Sequence, residues 1–172
     1  MKIEDNKVVS VLYTLYEDNE DGKLLEKTEE SEPFMFIFGT GGVLPKFEQQ
    51  LSGKQEGDSF AFFLKAKDAY GEVNPEMSNI EVDKSIFGLS DPEEMEAMFQ
   101  VGHILPMIDQ DGFRWDSRVV KVKKKTLIMD LNHEYAGLDL YFKGKVVGIR
   151  EATDEELNYG EDGEDNIEIV GR

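Results

Sequence analysis

The sequence predicts an α+β fold in which an antiparallel β-sheet packs against one short helix, accompanied by a second, mostly β subdomain. Short segments with apolar residues at every second position recur along the chain, as expected for half-buried strands. One segment, residues 43–52, carries a helical apolar stripe instead, and residues 72–130 differ in character from their flanks. The 172 residues suffice for one ordinary domain or two small ones.

The first predicted strand spans residues 8–16, where every second residue from Val9 to Leu15 is apolar. The Asp-Gly pair at 21–22 suits a hairpin-like reversal, after which residues 23–27 return as a short strand. This part of the chain therefore predicts the first antiparallel strand pair.

Two phenylalanine-rich segments predict further strands. Residues 34–38 place three phenylalanines on one face, and residues 59–66 alternate in the same way from Phe60 to Leu64. The second segment runs into the loop that carries Tyr70, an aromatic residue just past a strand end. The sequence therefore predicts an aromatic inner face on the sheet.

The only helix predicted in the first half begins near Val43. Leu44, Phe47 and Leu51 recur on one face, and Pro45 is tolerated in a first helical turn, where its missing N–H costs nothing. A helix of about two to three turns is too short to be stable alone, so we expect packing against the sheet to hold it.

Residues 72–130 predict a second, β-rich subdomain. Residues 90–94 read Ser-Asp-Pro-Glu-Glu, which combines a helix cap, a first-turn proline and acidic residues near the helix start. The segments 103–109 and 114–131 follow as a meander of strands with an Asp-Gly turn between them.

The C-terminal part predicts one more strand at 143–150 and a capping box at 153–156 that starts a short helix or turn. Residues 158–165 are acidic and glycine-rich and are expected to be mobile. Residues 167–170 could add a terminal strand or stay frayed.

Composition excludes several classes of function. The chain has 37 acidic and 19 basic residues and a net charge of −18, so neither nucleic acid nor a membrane surface is an expected partner. It has no cysteine and only two histidines, so we expect no metal site and no cofactor. A polar N-terminus and the lack of any apolar run of roughly 20 residues predict a cytoplasmic protein.

Familiar catalytic motifs are missing, including GxSxG, HExxH, the Walker motif and the Rossmann fingerprint. The sequence instead supplies aromatic residues beside loops. Taken singly, each would be interpreted as a core residue, but their order along the chain favours a site. They are Tyr13, Phe34, Phe36, Phe47, Tyr70 and Phe142.

That order resembles the FK506-binding-protein family of peptidyl-prolyl isomerases. After Tyr13, the chain reads GKLLE, then EPFMFIFGTGGVLPKFEQQL, then DAYG. The later segment LNHEYAGLDLYFKGKVVGIREATDEEL resembles the SlyD-like branch, in which a chaperone domain is inserted in the flap of the isomerase domain. The resemblance covers about residues 1–157.

The resemblance implies an FKBP-like sheet wrapped around the short helix, with a mostly β insert in the flap. The isomerase domain would comprise residues 1–72 plus 131–157, the inserted chaperone-like domain residues 73–130, and an acidic tail residues 158–172. The histidine-rich metal-binding tail that is frequent in this branch is not found here.

The resemblance also implies a set of site residues. The expected catalytic residues are Tyr13, Glu26, Phe34, Phe36, Phe47, Tyr70 and Phe142. The expected substrate-binding residues of the pocket and of the loop facing it are Leu25, Val43, Leu44, His133, Tyr135 and Leu138. Ordinary alternatives stay open at three positions. Tyr13 could be a core tyrosine and Glu26 a surface acid, and Tyr70 could have no role in the site.

A separate hypothesis concerns the insert, whose apolar residues could bind unfolded chains. Methionine in particular adapts to varied partners. The alternative is that these residues form only the core of the subdomain. They are Ile86, Phe87, Leu89, Met95, Met98, Phe99, Leu105, Met107 and Ile108.

The predicted function is that of a peptidyl-prolyl cis-trans isomerase with chaperone activity, acting on unfolded or proline-containing polypeptides as a monomer. The alternative is a non-catalytic peptide-binding chaperone that uses the same cleft. Two departures from the family pattern keep that alternative open: Phe47 replaces a common tryptophan and Glu26 a common aspartate.

Overall fold

The computed structural model describes residues 1–159, and the predicted α+β class is confirmed by its antiparallel sheets and few helices. The chain divides into two compact units. The first combines Met1–Glu72 with the chain from Gly137 onward, and the second is Val73–Ala136.

The first unit is built on a five-stranded antiparallel sheet. Its order is β2-β1-β9-β4, with β3 also paired to β1. The strands are β1 (Lys7–Glu17), β2 (Leu24–Lys27), β3 (Phe34–Ile37), β4 (Ser59–Leu64) and β9 (Leu140–Glu151), and the helices are α1 (Pro45–Leu51) and α3 (Asp154–Tyr159).

The longest pairing joins β1 to β9, from Lys7 opposite Glu151 to Glu17 opposite Leu140. The alternation predicted for β1 is confirmed, because every second side chain from Val9 to Leu15 is buried. The pairing begins at Leu140, before the predicted start at residue 143, so β9 is longer than its apolar pattern indicated.

Helix α1 lies against the inner face of this sheet through Phe47 and Leu51, which are both buried. It begins at Pro45, later than the predicted start at Val43, and Leu44 keeps an extended backbone with φ −54° and ψ 128°. A residue that precedes proline is disfavoured in the helical region by the proline ring, which explains the later start.

The second unit has a four-stranded antiparallel sheet in the order β5-β8-β7-β6. Its elements are β5 (Ile80–Asp83), α2 (Pro92–Met98), β6 (Ile104–Ile108), β7 (Arg114–Val122) and β8 (Thr126–Asp130). The predicted meander is confirmed, whereas β5 was not foreseen from the sequence. The predicted helix start is also confirmed, because the Asp91 carboxylate accepts the N–H groups of Glu93 and Glu94.

The second unit extends to Ala136, past the predicted end of the insert at residue 130. Asn132 explains the extension. Its Oδ1 accepts the Asn74 N–H at 2.8 Å, and its Nδ2 donates to the Ser78 Oγ at 3.0 Å. These bonds tie the segment after β8 to the start of the same unit.

The capping box at the C-terminal helix is confirmed. The Thr153 Oγ1 accepts the Glu156 N–H at 3.2 Å, and the Glu156 carboxylate accepts the Thr153 N–H at 2.9 Å. No helix within residues 1–159 is long and apolar enough to cross a bilayer. Most of the predicted acidic tail, with the possible strand at 167–170, lies outside the described residues.

We predict that Gly144 in β9 cannot be replaced without loss of stability. A Cβ there would collide with the Leu12 carbonyl oxygen and lie 2.6 Å from the Phe60 Cζ. Gly144→Ala should lower the free energy of unfolding by about 1–3 kcal/mol or more. Urea denaturation followed by circular dichroism measures the change.

The matched control lies on the same strand. At Gly148 the nearest atom to an added Cβ is the Ser10 Cβ at 3.5 Å, an ordinary contact. Gly148→Ala should stay within about 0.5 kcal/mol of the parent protein. Equal effects of the two substitutions would contradict this account of the β1–β9 pairing.

Candidate active site

The first unit contains a cavity of about 230 Å³ between its sheet, helix α1 and two loops. The cavity walls come from β1, β3 and β9, from the loop that leads into α1, and from the turn after β4. The lining residues are Tyr13, Phe34, Gly41, Gly42, Val43, Leu44, Pro45, Phe47, Tyr70 and Phe142.

Phe47 on α1 is the centre of the aromatic cluster beneath this cavity. Its ring centroid lies 5.1 Å from that of Phe142, 6.3 Å from Tyr13 and 6.4 Å from Phe34, with steep interplanar angles. Edge-to-face contacts of this kind are favourable because the positive ring edge meets a negative ring face. All four rings are largely buried, so the cavity has a rigid apolar floor.

Tyr13 and Glu26 form the polar pair at this site. The Tyr13 hydroxyl donates a hydrogen bond of 2.7 Å to the Glu26 Oε2, across the neighbouring strands β1 and β2. A bond to an ionised acceptor is stronger than one between neutral groups. The bond therefore fixes the orientation of the Tyr13 ring in the cavity wall.

Tyr70 stands on the turn that follows β4. Burial, together with the negative charge of Glu26, raises the pKa of its phenol from 10.0 to about 12. Both causes oppose formation of a phenolate. A phenol is already neutral at physiological pH, and the raised pKa extends this neutral, hydrogen-bond-donating state of Tyr70 to higher pH.

Another wall of the cavity comes from the glycine-rich loop between β3 and α1, through Gly41 and Gly42. Gly39 has a φ of +88°, and a Cβ there would lie 2.7 Å from the Asp5 Oδ1. Its N–H donates to the Glu48 carboxylate at 2.6 Å, which ties the start of the loop to α1. A second bond, from the Thr40 Oγ1 to the Ile37 carbonyl oxygen at 2.9 Å, holds the loop to the end of β3.

The structure brings most of the expected pocket residues together. Those that line the cavity are Tyr13, Phe34, Val43, Leu44, Phe47, Tyr70 and Phe142. Phe36 instead lies in the core, where its ring stacks on Phe34 at 5.7 Å. Glu26 reaches the site through Tyr13, and Leu25 and Leu138 are half-buried residues outside the lining.

Sequence reasoning missed three lining residues, Gly41, Gly42 and Pro45. The signal was available, because the glycine-rich stretch adjoins Val43 and Leu44, which were expected in the pocket. A glycine has no side chain and lines the cavity with its backbone alone. A search for patterns of apolar side chains therefore does not detect it.

His133 and Tyr135 belong to the second unit. Their ring centroids are 5.7 Å apart, and the His133 Nδ1 accepts the Tyr135 N–H at 3.0 Å. Tyr135 is buried. These contacts place both residues in a local turn of that unit.

The apolar residues singled out in the insert divide into two groups. Phe99 and Leu105 are buried in the core of the second unit, and Phe87, Leu89 and Met95 pack against that core. Ile86, Met98 and Ile108 are exposed, and Met107 is half-buried. Further exposed apolar residues of this unit that the sequence did not single out include Val101, Ile104, Phe113 and Trp115.

The chemistry available in the cavity is that of binding. Within residues 1–159, no group of three or more His, Asp or Glu side chains could hold a metal ion. The lining offers aromatic and aliphatic surface, two phenols and glycine backbone. Such a site can seat a small apolar ring and hydrogen-bond a neighbouring carbonyl group.

Comparison with known proteins decides the family. The model of the FKBP-type peptidyl-prolyl cis-trans isomerase domain matches residues 1–101, which carry most of the cavity lining. The chain belongs to this family. The resemblance drawn from the short motifs is thereby confirmed.

Relatives that align with more than nine-tenths of the chain carry the same family name. The chain is 32% identical over 160 residues to the FKBP-type peptidyl-prolyl cis-trans isomerase SlyD of Yersinia pestis, covering 93% of this chain and 77% of that protein. SlyD of Treponema pallidum is 31% identical over 157 residues, covering 91% and 84%. SlyD of Escherichia coli K12 is 31% identical, covering 93% and 76%.

We predict that the Tyr70 phenol ionises late, with a pKa near 12. Because its folded pKa lies above the unfolded value of 10.0, its contribution to stability is complete below pH 10 and is lost as the pH rises toward 12. The ultraviolet absorbance of phenolate, followed in the folded protein, measures this titration.

Two variants assign that titration. Tyr70→Phe should remove the late step, and Glu26→Gln should lower the Tyr70 pKa but leave it above 10.0, because burial is the larger cause. A late step that persists in Tyr70→Phe would show that another phenol is responsible.

Proposed function

We propose that this protein accelerates cis-trans isomerisation of prolyl peptide bonds by binding the twisted imide in the aromatic cavity of the first unit. The observation that carries the proposal is the cavity itself, in which Tyr13, Phe47, Tyr70 and Phe142 surround one space of about 230 Å³. Membership of the isomerase family supports the same reaction.

The reaction needs no nucleophile and no general base. Resonance gives the peptide C–N bond partial double-bond character and a rotation barrier of about 18–20 kcal/mol. In the twisted transition state this resonance is lost, and the carbonyl group becomes less polar. An apolar, water-poor cavity therefore favours the twisted form over the planar one. Each ~1.4 kcal/mol of that preference raises the rate about tenfold.

The aromatic residues take distinct roles in this proposal. Phe34, Phe47 and Phe142 seat the proline ring on the apolar floor. The neutral Tyr70 phenol donates a hydrogen bond to a substrate carbonyl group, and Tyr13 is held in orientation by the Glu26 carboxylate. The burial of the three phenylalanines and the position of Tyr70 in the cavity wall support these roles.

The second unit, Val73–Ala136, is proposed to hold unfolded chains. Its exposed apolar side chains support this role, since Ile108 is 72% exposed and Phe113 68% exposed. Weak binding there would raise the effective concentration of a client's prolines at the cavity, because both units belong to one chain.

A cytoplasmic location, a monomeric state and the expected lack of nucleic acid or membrane partners stay predictions. The proposed partners are unfolded or proline-containing polypeptides. The non-catalytic alternative differs from the proposal in one measurable respect, because a holdase would bind proline peptides without accelerating their isomerisation.

We predict that the cavity residues control the rate on a proline tetrapeptide. Tyr70→Phe should lower kcat/KM by about 2- to 10-fold, because one hydrogen bond of about 0.5–1.5 kcal/mol is lost. Phe142→Leu should lower it further by removing a ring from the floor. Exchange spectroscopy by NMR measures both rates without a coupling protease.

Phe63→Leu is the matched control, because Phe63 lies on neighbouring β4 opposite Tyr141 and is 47% exposed. It should leave kcat/KM unchanged. Unaltered catalysis in both cavity variants would contradict the assignment of the reaction to this cavity. Peptide binding by the parent protein without rate enhancement would favour the holdase alternative.

We predict that the second unit matters for protein substrates only. The Gly137 N–H donates to the Gly71 carbonyl oxygen at 2.7 Å, so a short linker can join Glu72 to Gly137 after deletion of residues 73–136. The deletion variant should keep its activity on a tetrapeptide and lose at least tenfold on a proline-limited refolding protein. If the ratio of the deletion variant's activity to the parent protein's activity were the same on both substrates, the tethering role would be contradicted.

A further inference from the structure

The turn that carries Tyr70 is closed internally by three backbone hydrogen bonds. The Asp68 N–H donates to the Lys65 carbonyl oxygen at 2.9 Å, and the N–H groups of Ala69 and Gly71 both donate to the Ala66 carbonyl oxygen, at 3.0 and 2.8 Å. These bonds set the shape of the turn. They do not set its position relative to the cavity.

Two hydrogen bonds from the segment before β9 anchor the turn. At its start, the Asp139 Oδ1 accepts the Ala66 N–H at 2.8 Å. At its end, the Gly71 carbonyl oxygen accepts the Gly137 N–H at 2.7 Å. The turn is therefore held on both sides of Tyr70 by residues only two positions apart.

The hydrogen bond at the start of the turn uses the Asp139 side chain, so a substitution of Asp139 can remove it. Ala66 begins a 3-10 turn, and the first N–H groups of such a turn have no acceptor within it. Ala66 is 3% exposed, so water cannot readily replace the carboxylate. The Asp139 backbone is itself fixed, because its carbonyl oxygen accepts the Asp18 N–H at the end of β1 at 2.9 Å.

We propose that Asp139 is a positioning residue of the isomerase site, whose carboxylate holds the turn of residues 66–71 so that the Tyr70 phenol faces the bound substrate. This inference rests on the proposed function. Its physical basis is that a hydrogen-bond donor contributes to catalysis only when it is held close to the productive geometry. Asp139 lines no part of the cavity and acts through Tyr70.

The test is a double-mutant cycle measured as kcat/KM on a proline tetrapeptide. Asp139→Asn keeps an oxygen acceptor for the Ala66 N–H and should stay within about twofold of the parent protein. Asp139→Ala removes the acceptor and should lower kcat/KM about as much as Tyr70→Phe. The double variant Asp139→Ala/Tyr70→Phe should be no slower than Tyr70→Phe, because both substitutions remove the same hydrogen bond from Tyr70 to the substrate.

A second measurement reports the position of Tyr70 without any activity. If the turn moves, the Tyr70 phenol leaves its buried site, so its pKa in Asp139→Ala should fall from about 12 toward 10.0. Lys67→Ala, an exposed change on the same turn, should alter neither kcat/KM nor the phenol titration. Asp139→Ser replaces Asp139→Ala in both measurements if thermal melting shows the alanine variant to be unfolded.

Independent, multiplicative losses in the double variant would overturn the inference, as would full activity and an unchanged Tyr70 titration in Asp139→Ala. Loss of activity in Asp139→Asn equal to that in Asp139→Ala would also overturn it, because a general effect on folding would then be responsible. An inactive parent protein would refute the proposed isomerase function instead, and the Tyr70 titration would still test the positioning role.

Discussion

The antiparallel pairing of β1 with β9 is the interaction on which the sheet and the cavity of the first unit depend. It joins the start of the described chain to its end and aligns Leu15 with Phe142. It also sets Tyr13 opposite Gly144, where only a glycine leaves room for the Leu12 carbonyl oxygen and the Phe60 ring. The pairing therefore places the rings of Tyr13 and Phe142, which both line the cavity, with their centroids 5.8 Å apart.

A second constraint is the exclusion of charge from the cavity. The chain carries a net charge of −18, yet the lining residues include no acidic or basic side chain. The nearest carboxylate in the hydrogen-bond network, Glu26, accepts the Tyr13 hydroxyl and raises the pKa of Tyr70. Burial is the larger cause of that raised pKa, and the charge of Glu26 adds to it. The surroundings thus suit a reaction whose transition state is less polar than its ground state.

Much of this architecture was predictable from local sequence patterns. Alternating apolar residues indicated the strands, the spacing of Leu44, Phe47 and Leu51 indicated α1, and the capping signals at Asp91 and Thr153 indicated two helix starts. These features depend on residues close together in the chain, whose geometry is set by the periods of strands and helices. The order of short motifs also indicated the family, which the comparisons confirm.

Only the tertiary structure decided which of several equivalent residues face the cavity. Phe34 and Phe36 share one face of β3, but Phe34 lines the cavity and Phe36 fills the core beside it. Period-two alternation identifies a buried face and contains no information on where along that face the packing leaves a space. The anchoring of Ala66 by Asp139 was likewise undetectable, because that bond joins residues brought together only when β4 and β9 pair.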